Sequence, residues 1–149
     1  MKEQFERFET FTTQILNIYR DIRKIKAGEM AEFDLRGAHI SCLYYLYTCE
    51  GLTATDLCEK CKEDKATVSR ALDHLEKNGY LIREGDSTKR YKSPLRLTVQ
   101  GAEVGRRLGE KIDHVLTEIG TVMSEEERVE FRRCLKLVSD KLDDIAGQF

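Results

Sequence analysis

The chain has no tryptophan, a single proline and almost no charge imbalance: 25 lysines and arginines face 27 aspartates and glutamates, a net charge of -2 over 149 residues. So small an imbalance argues against indiscriminate nucleic-acid binding, but not against specific binding by a locally cationic surface, because distribution matters more than the sum. No apolar run approaches the roughly 18 residues that would indicate a membrane span. The N-terminus, MKEQFERFETF, is acidic and amphipathic and lacks the apolar stretch and small-residue site of a signal peptide, so the expected location is cytoplasmic, with no membrane partner. There is no GxSxG elbow, phosphate-cradling glycine loop or HExxH pair. The acidic run Glu125-Glu126-Glu127 lies at a predicted helix start, where the macrodipole favours it. The chain is not expected to be an enzyme, and no cofactor is implied. Without internal repeats, low-complexity tracts or a flexible linker, residues 1–149 read as one domain, with 40% hydrophobic residues to build a core.

Five cysteines in a reducing compartment do not make a disulfide framework. Cys58-Glu59-Lys60-Cys61 is a lone CxxC on a predicted helix. A zinc site needs about four ligands, and His39, His74 and His114 are scattered rather than paired at ligand spacing, so no metal site is expected. Cys58 falls where a helix pair wants a small buried residue and Cys61 where it wants an apolar one, which makes both buried structural thiols. Redox or metal sensing by Cys42, Cys49, Cys58 or Cys61 is the alternative.

The informative stretch runs from Leu52 to Thr98. A first short helix opens at Thr53, whose hydroxyl can cap backbone N–H groups, with Asp56 three residues on. A second opens at Asp64 and reads DKATVSRALDHLEKNGY. Val68, Ala71, Leu72 and Leu75 share one face, leaving Lys65, Thr67, Ser69, Arg70, Asp73 and His74 on the others. One side packs and the other can touch DNA. Gly79 stops the helix in the left-handed position, Tyr80-Leu81-Ile82-Arg83 begins a strand, and EGDSTKRYK turns back to Leu95-Arg96-Leu97-Thr98. Pro94 confines its segment to an edge or a bulge. From Arg83 to Arg96, the cations Arg83, Lys89, Arg90, Lys92 and Arg96 outnumber Glu84 and Asp86.

These residues resemble the MarR family of bacterial transcription regulators, and the segments DKATVSRALDHLEKNGYLIRE and LRLTVQG carry the likeness. The fold implied is mainly α with a small β wing: a winged helix-turn-helix at 52–98, flanked by dimerisation helices at 1–27 and 99–149. The resemblance implies a homodimer that binds a palindromic operator in double-stranded DNA and releases it when a small molecule or oxidant binds. The chain departs from the pattern at the turn, where Lys62 stands in place of a small or glycine residue and Glu63 in place of an apolar one. It departs again in the wing, where Lys89 replaces an acidic residue and Tyr91 a second arginine.

Outside the helix pair, Phe8, Phe11, Ile15, Ile18, Ile22 and Ile25 recur in steps of three and four. Leu108, Ile112, Val115, Ile119 and Val122 repeat that spacing, as do Phe131, Leu135, Val138, Leu142, Ile145 and Phe149. Ser124 and Glu127 form a capping box that starts the last helix. These stripes fit an intramolecular three-helix bundle or, as the resemblance implies, a homodimer. A central helix from about Gly37 to Cys49 is apolar on several sides and expected to be buried. Its Tyr44, Tyr45 and Tyr47 would pack or receive a small aromatic effector. The expected DNA contacts are Lys65, Thr67, Ser69, Arg70 and His74 on the second helix and Lys89, Arg90 and Lys92 on the wing. A winged-helix protein-interaction module is the competing function.

Overall fold

The computed structural model describes residues 1–84 and 92–149. Helix α1 spans Lys2–Met30 and ends in a 3-10 turn at Ala31–Phe33. It is followed by α2 (Ala38–Thr48), α3 (Ala54–Cys61), α4 (Lys65–Lys77), β1 (Leu81–Ile82), β2 (Arg96–Leu97), α5 (Val99–Gly120) and α6 (Glu125–Ala146). The architecture is mainly helical with one small antiparallel sheet, in which Leu81 pairs with Leu97 and Ile82 with Arg96. The Leu95 N–H, beside Pro94, turns away from that ladder and donates to the Leu52 carbonyl at 2.8 Å. By internal contacts the chain forms two compact units, Met1–Gly109 and Glu110–Phe149.

Local chemistry sets the helix ends in the first unit. Thr53 and Asp56 form a reciprocal capping box: the Asp56 N–H donates to Thr53 Oγ1 at 3.3 Å and the Thr53 N–H to Asp56 Oδ2 at 2.8 Å. Helix α4 starts where Asp64 Oδ1 accepts the Thr67 N–H at 2.7 Å. It stops at Gly79, whose φ of 78° no side chain obstructs, with the Tyr80 N–H returning to the Leu75 carbonyl at 2.9 Å. Helix α3 closes in the same motif on Lys62, a side-chain-bearing residue held at φ 55°, with the Glu63 N–H on the Cys58 carbonyl at 3.1 Å. The turn is exposed at both Lys62 and Glu63.

The core lies wholly in the first unit. Val68, Ala71, Leu72 and Leu75 of α4 are buried against Ile40, Cys42, Leu43 and Leu46 of α2 and Ala54 and Leu57 of α3. Each buried Val or Leu contributes about 1.5–3 kcal/mol, so this junction is the main stabiliser of the helix pair. Met30, Leu35, Leu52, Tyr80, Leu81, Leu95, Val104 and Leu108 complete it. The expected burial of Cys58 and Cys61 is corrected: both are half-buried, because Ala54 and Leu57 occupy the inward positions of α3. Helix α2 is buried on one side only, and Tyr47 is exposed.

Helix α1 buries only Met30. Its whole stripe from Phe8 to Ile25 is exposed, as are Phe131, Leu135, Val138, Leu142, Ile145 and Phe149 in the second unit. That unit holds the end of α5 and α6, which starts at the Ser124–Glu127 capping box, the Glu127 N–H donating to Ser124 Oγ at 3.1 Å. Arg128 donates to the Gly120 carbonyl at 3.0 Å and ties the α5–α6 turn to the first turns of α6.

Candidate nucleic-acid interface

The first turns of α4 present the side chains that α4's apolar face leaves outward. Lys65 and Arg70 are exposed, and Thr67 and Ser69 are half-buried. The Asp64 cap orders this end and leaves its carboxylate below the usual range, chiefly through the Thr67 backbone N–H and then the Thr67 hydroxyl. Arg70 donates to Thr67 Oγ1 at 3.3 Å, so its guanidinium is aimed along the helix toward the N-terminal turn. Four polar side chains thus stand on one capped, positively ended helix terminus, an arrangement suited to phosphate oxygens and base edges.

His74 goes elsewhere. Its ring turns back onto the protein, with Nε2 2.8 Å from the Asp34 carbonyl and its face stacked on His39 at 3.9 Å. Although it follows Arg70 by one turn and Thr67 by two on the same helix, its ring is engaged by Asp34 and His39. Of the wing residues, Lys89 and Arg90 lie outside the described residues, while Lys92 is exposed.

Two wing cations are engaged in ion pairs rather than presented freely. Arg83, with a side chain only 12% exposed, bridges from β1 to Asp73 and, at 3.3 Å, to Glu76 of α4. Arg96 pairs with Glu84 across the sheet. Asp73 is therefore spent on Arg83 and not on Arg70. Sequence reasoning counted Arg83 among the cations of the wing and missed this brace. The available signal was the spacing of Asp73 and Glu76, two carboxylates three apart on one face of α4.

The tyrosines of α2 are placed by packing. Tyr44 and Tyr45 meet edge to face at 5.6 Å, and Lys60 lies 5.7 Å over the Tyr45 ring. Tyr47 lies against α5 so closely that a Cβ on Gly105 would fall 2.7 Å from its own. None of the five cysteines is joined in a disulfide. A hydrogen bond between the Cys42 and Cys61 sulfurs, with burial adding to it, holds the Cys42 thiol far above its ordinary range; the same bond lowers Cys61. Among the described residues no group of three His, Cys, Asp or Glu side chains is placed to hold a metal ion, and no helix is long and apolar enough to cross a membrane.

Solved structures share this arrangement. A crystal structure of MarR superposes with a TM-score of 0.74 at 23% identity, covering 93% of this chain and 94% of that one. A MepR–DNA complex of S. aureus gives 0.79 at 22% identity, over 89% and 97%. At these identities the likeness establishes the winged-helix fold alone. In sequence, the MarR family model matches residues 33–90. HTH-type transcriptional regulators of Bacillus cereus and Bacillus anthracis are 35% identical over 101 residues, which is 66% of this chain and 66% of theirs, just under two thirds of each. The matched segment centres on the capped helix pair and reaches toward the wing, and over it the chain is similar to the MarR family of winged helix-turn-helix transcriptional regulators.

Proposed function

We propose that the chain is a sequence-specific repressor that binds a palindromic operator in double-stranded DNA as a homodimer and responds to a small aromatic effector. The observation that carries the DNA reading is the division of α4: an apolar face locked in the core and a capped terminus presenting Lys65, Thr67, Ser69 and Arg70. Two copies of that helix would enter successive major grooves about 34 Å apart, so the operator should be a near-palindrome with half-sites about one turn apart. Arg70 has the planar fork that reads guanine O6 and N7, and Lys89, Arg90 and Lys92 would add phosphate or minor-groove contact from the wing. The MepR–DNA complex supports this reading by sharing the fold.

The exposed stripe of α1 and the exposed stripe of α6 support the homodimer, since a stable monomer does not leave such surfaces in water. Tyr44, Tyr45 and Tyr47 are the proposed effector contacts beside α2, and an effector acts there only by binding two states of the dimer unequally. Selection of bound duplexes from a random pool, followed by titration in rising salt, tests the function. A recovered near-palindrome bound with a steep salt dependence is expected. Failure to enrich any duplex, together with capture of protein partners through α4, would overturn it in favour of a protein-interaction module.

A further inference from the structure

Near the C-terminal end of α4, two histidines 35 positions apart in the chain stack face to face. His39, in the first turn of α2, and His74 of α4 have ring centroids 3.9 Å apart and planes within 4°. Their neighbours fix where each neutral ring carries its hydrogen. The Asp34 carbonyl, 2.8 Å from His74 Nε2, can only accept, so that nitrogen is the donor. The Arg36 backbone N–H points at His39 Nδ1 at 3.4 Å, so Nδ1 is bare and the hydrogen of His39 sits on Nε2.

A second proton on His39 has only Nδ1 to occupy. There it would set donor against donor with the Arg36 N–H, and place a cation on the face of His74. The charged and titratable groups facing the pair are Asp34 and Arg36 from the α1–α2 connection, His39 of α2 and His74 of α4. Burial, then His74, then the Arg36 guanidinium hold His39 below its ordinary pKa, and Asp34 alone opposes them. The Asp34 carboxylate stands 4.0 Å from His74 Nε2 but is 88% exposed, so water screens it.

We propose that the His39–His74 stack is a proton-operated latch that, while neutral, holds α4 against the α1–α2 connection, and whose protonation at His39 loosens α4 and weakens the grip on DNA. The DNA consequence rests on the reading of α4 given above. Because His39 is lowered in the folded chain, the unlatched state takes up the proton more readily; the latch is at full strength above pH 6.5 and weakens as pH falls through 6.5 toward the lowered folded value.

The test uses the full chain, its His39→Phe variant, which keeps a stackable ring without a titrating nitrogen, and the duplex that wild type selects from a random pool at about pH 8. Wild-type affinity should fall by about fivefold or more between about pH 8 and about pH 5.5, with loss of hydrogen-exchange protection over residues 72–78, and both changes should shrink in His39→Phe. An equal fall in both proteins, unchanged exchange in wild type, or a His39 ring that titrates by NMR at or above 6.5 would overturn the latch. If His39→Phe fails to fold, His39→Gln replaces it, and the wild-type ring titration decides in either case. If no duplex is selected at any pH, the DNA reading fails, and exchange and ring titration judge the latch alone.

Discussion

Lys62 closes α3 in the left-handed conformation at φ 55°, in the same terminating motif that Gly79 provides for α4. A side chain there costs about 1–2 kcal/mol, because Cβ crowds the following carbonyl. Glycine removes that cost but brings back roughly 0.5–1 kcal/mol of unfolded-chain entropy. On backbone grounds alone, Lys62→Gly therefore gains about 0.5–1 kcal/mol. The lysine also stands near a helix C-terminus, where its charge contributes about 0.3–1 kcal/mol, so Lys62→Ala is the necessary control: it removes the charge and keeps the strain. Glycine should exceed alanine by about 1 kcal/mol, a difference of about 2–4 °C in melting temperature for a chain of this size. Urea unfolding at fixed protein concentration should show the midpoint move and the slope stay constant. If Lys62→Gly is no more stable than Lys62→Ala, the left-handed turn is not strained and the reasoning fails.

Further outcomes follow from other contacts. Arg70→Ala should cost about 1–3 kcal/mol in operator binding and relax preference at one base pair per half-site, measured by competition with mutated duplexes; undiminished affinity would remove Arg70 from the interface. Arg83→Gln, which leaves Asp73 and Glu76 without their brace, should lower stability by about 1 kcal/mol in urea unfolding. Charged replacements at Ile15 and Leu142 should yield a monomer in sedimentation and abolish operator binding; a wild-type monomer that binds its operator would refute the dimer. The Asp56 carboxyl is lowered in the folded chain by the Thr53 N–H and then the Thr53 hydroxyl. Its stabilisation is therefore present above pH 3.8 and lost as pH falls through the lower folded value, and Thr53→Ala should flatten acid unfolding in that window.

The helix pair was legible because its signals are local. Thr53, Asp64, Gly79 and Ser124 each act within a turn of their own position, and the inward face of α4 follows from a spacing of three and four. What escaped was long-range pairing. Asp73 and Glu76 share a face of α4, but that spacing alone does not say that Arg83 will reach back ten residues to them, and nothing near His74 announces His39 or Asp34. Hence His74 read as a DNA contact, although its ring faces the protein. The cysteines misled for a related reason: helical spacing gives the direction of Cys58 but not the depth at which Leu57 and Ala54 already fill the core. The contents of the wing were readable as charge, while the engagement of Arg96 with Glu84 depended on strand register.

The joint where α4 ends and α5 begins has no slack. Thr98 Oγ1 donates to the Gly79 carbonyl at 2.6 Å and accepts the Gly101 N–H at 2.9 Å, and the Thr98 N–H donates to the Tyr80 carbonyl at 3.1 Å. A Cβ on Gly101 would sit 2.0 Å from that same carbonyl oxygen, so even one methyl group would prise the two chain segments apart. Mechanically the opening turn of α5 and the closing turn of α4 are welded, with one hydroxyl as the rivet. A displacement of the first turn of α5 must therefore carry the closing turn of α4 with it or break these bonds.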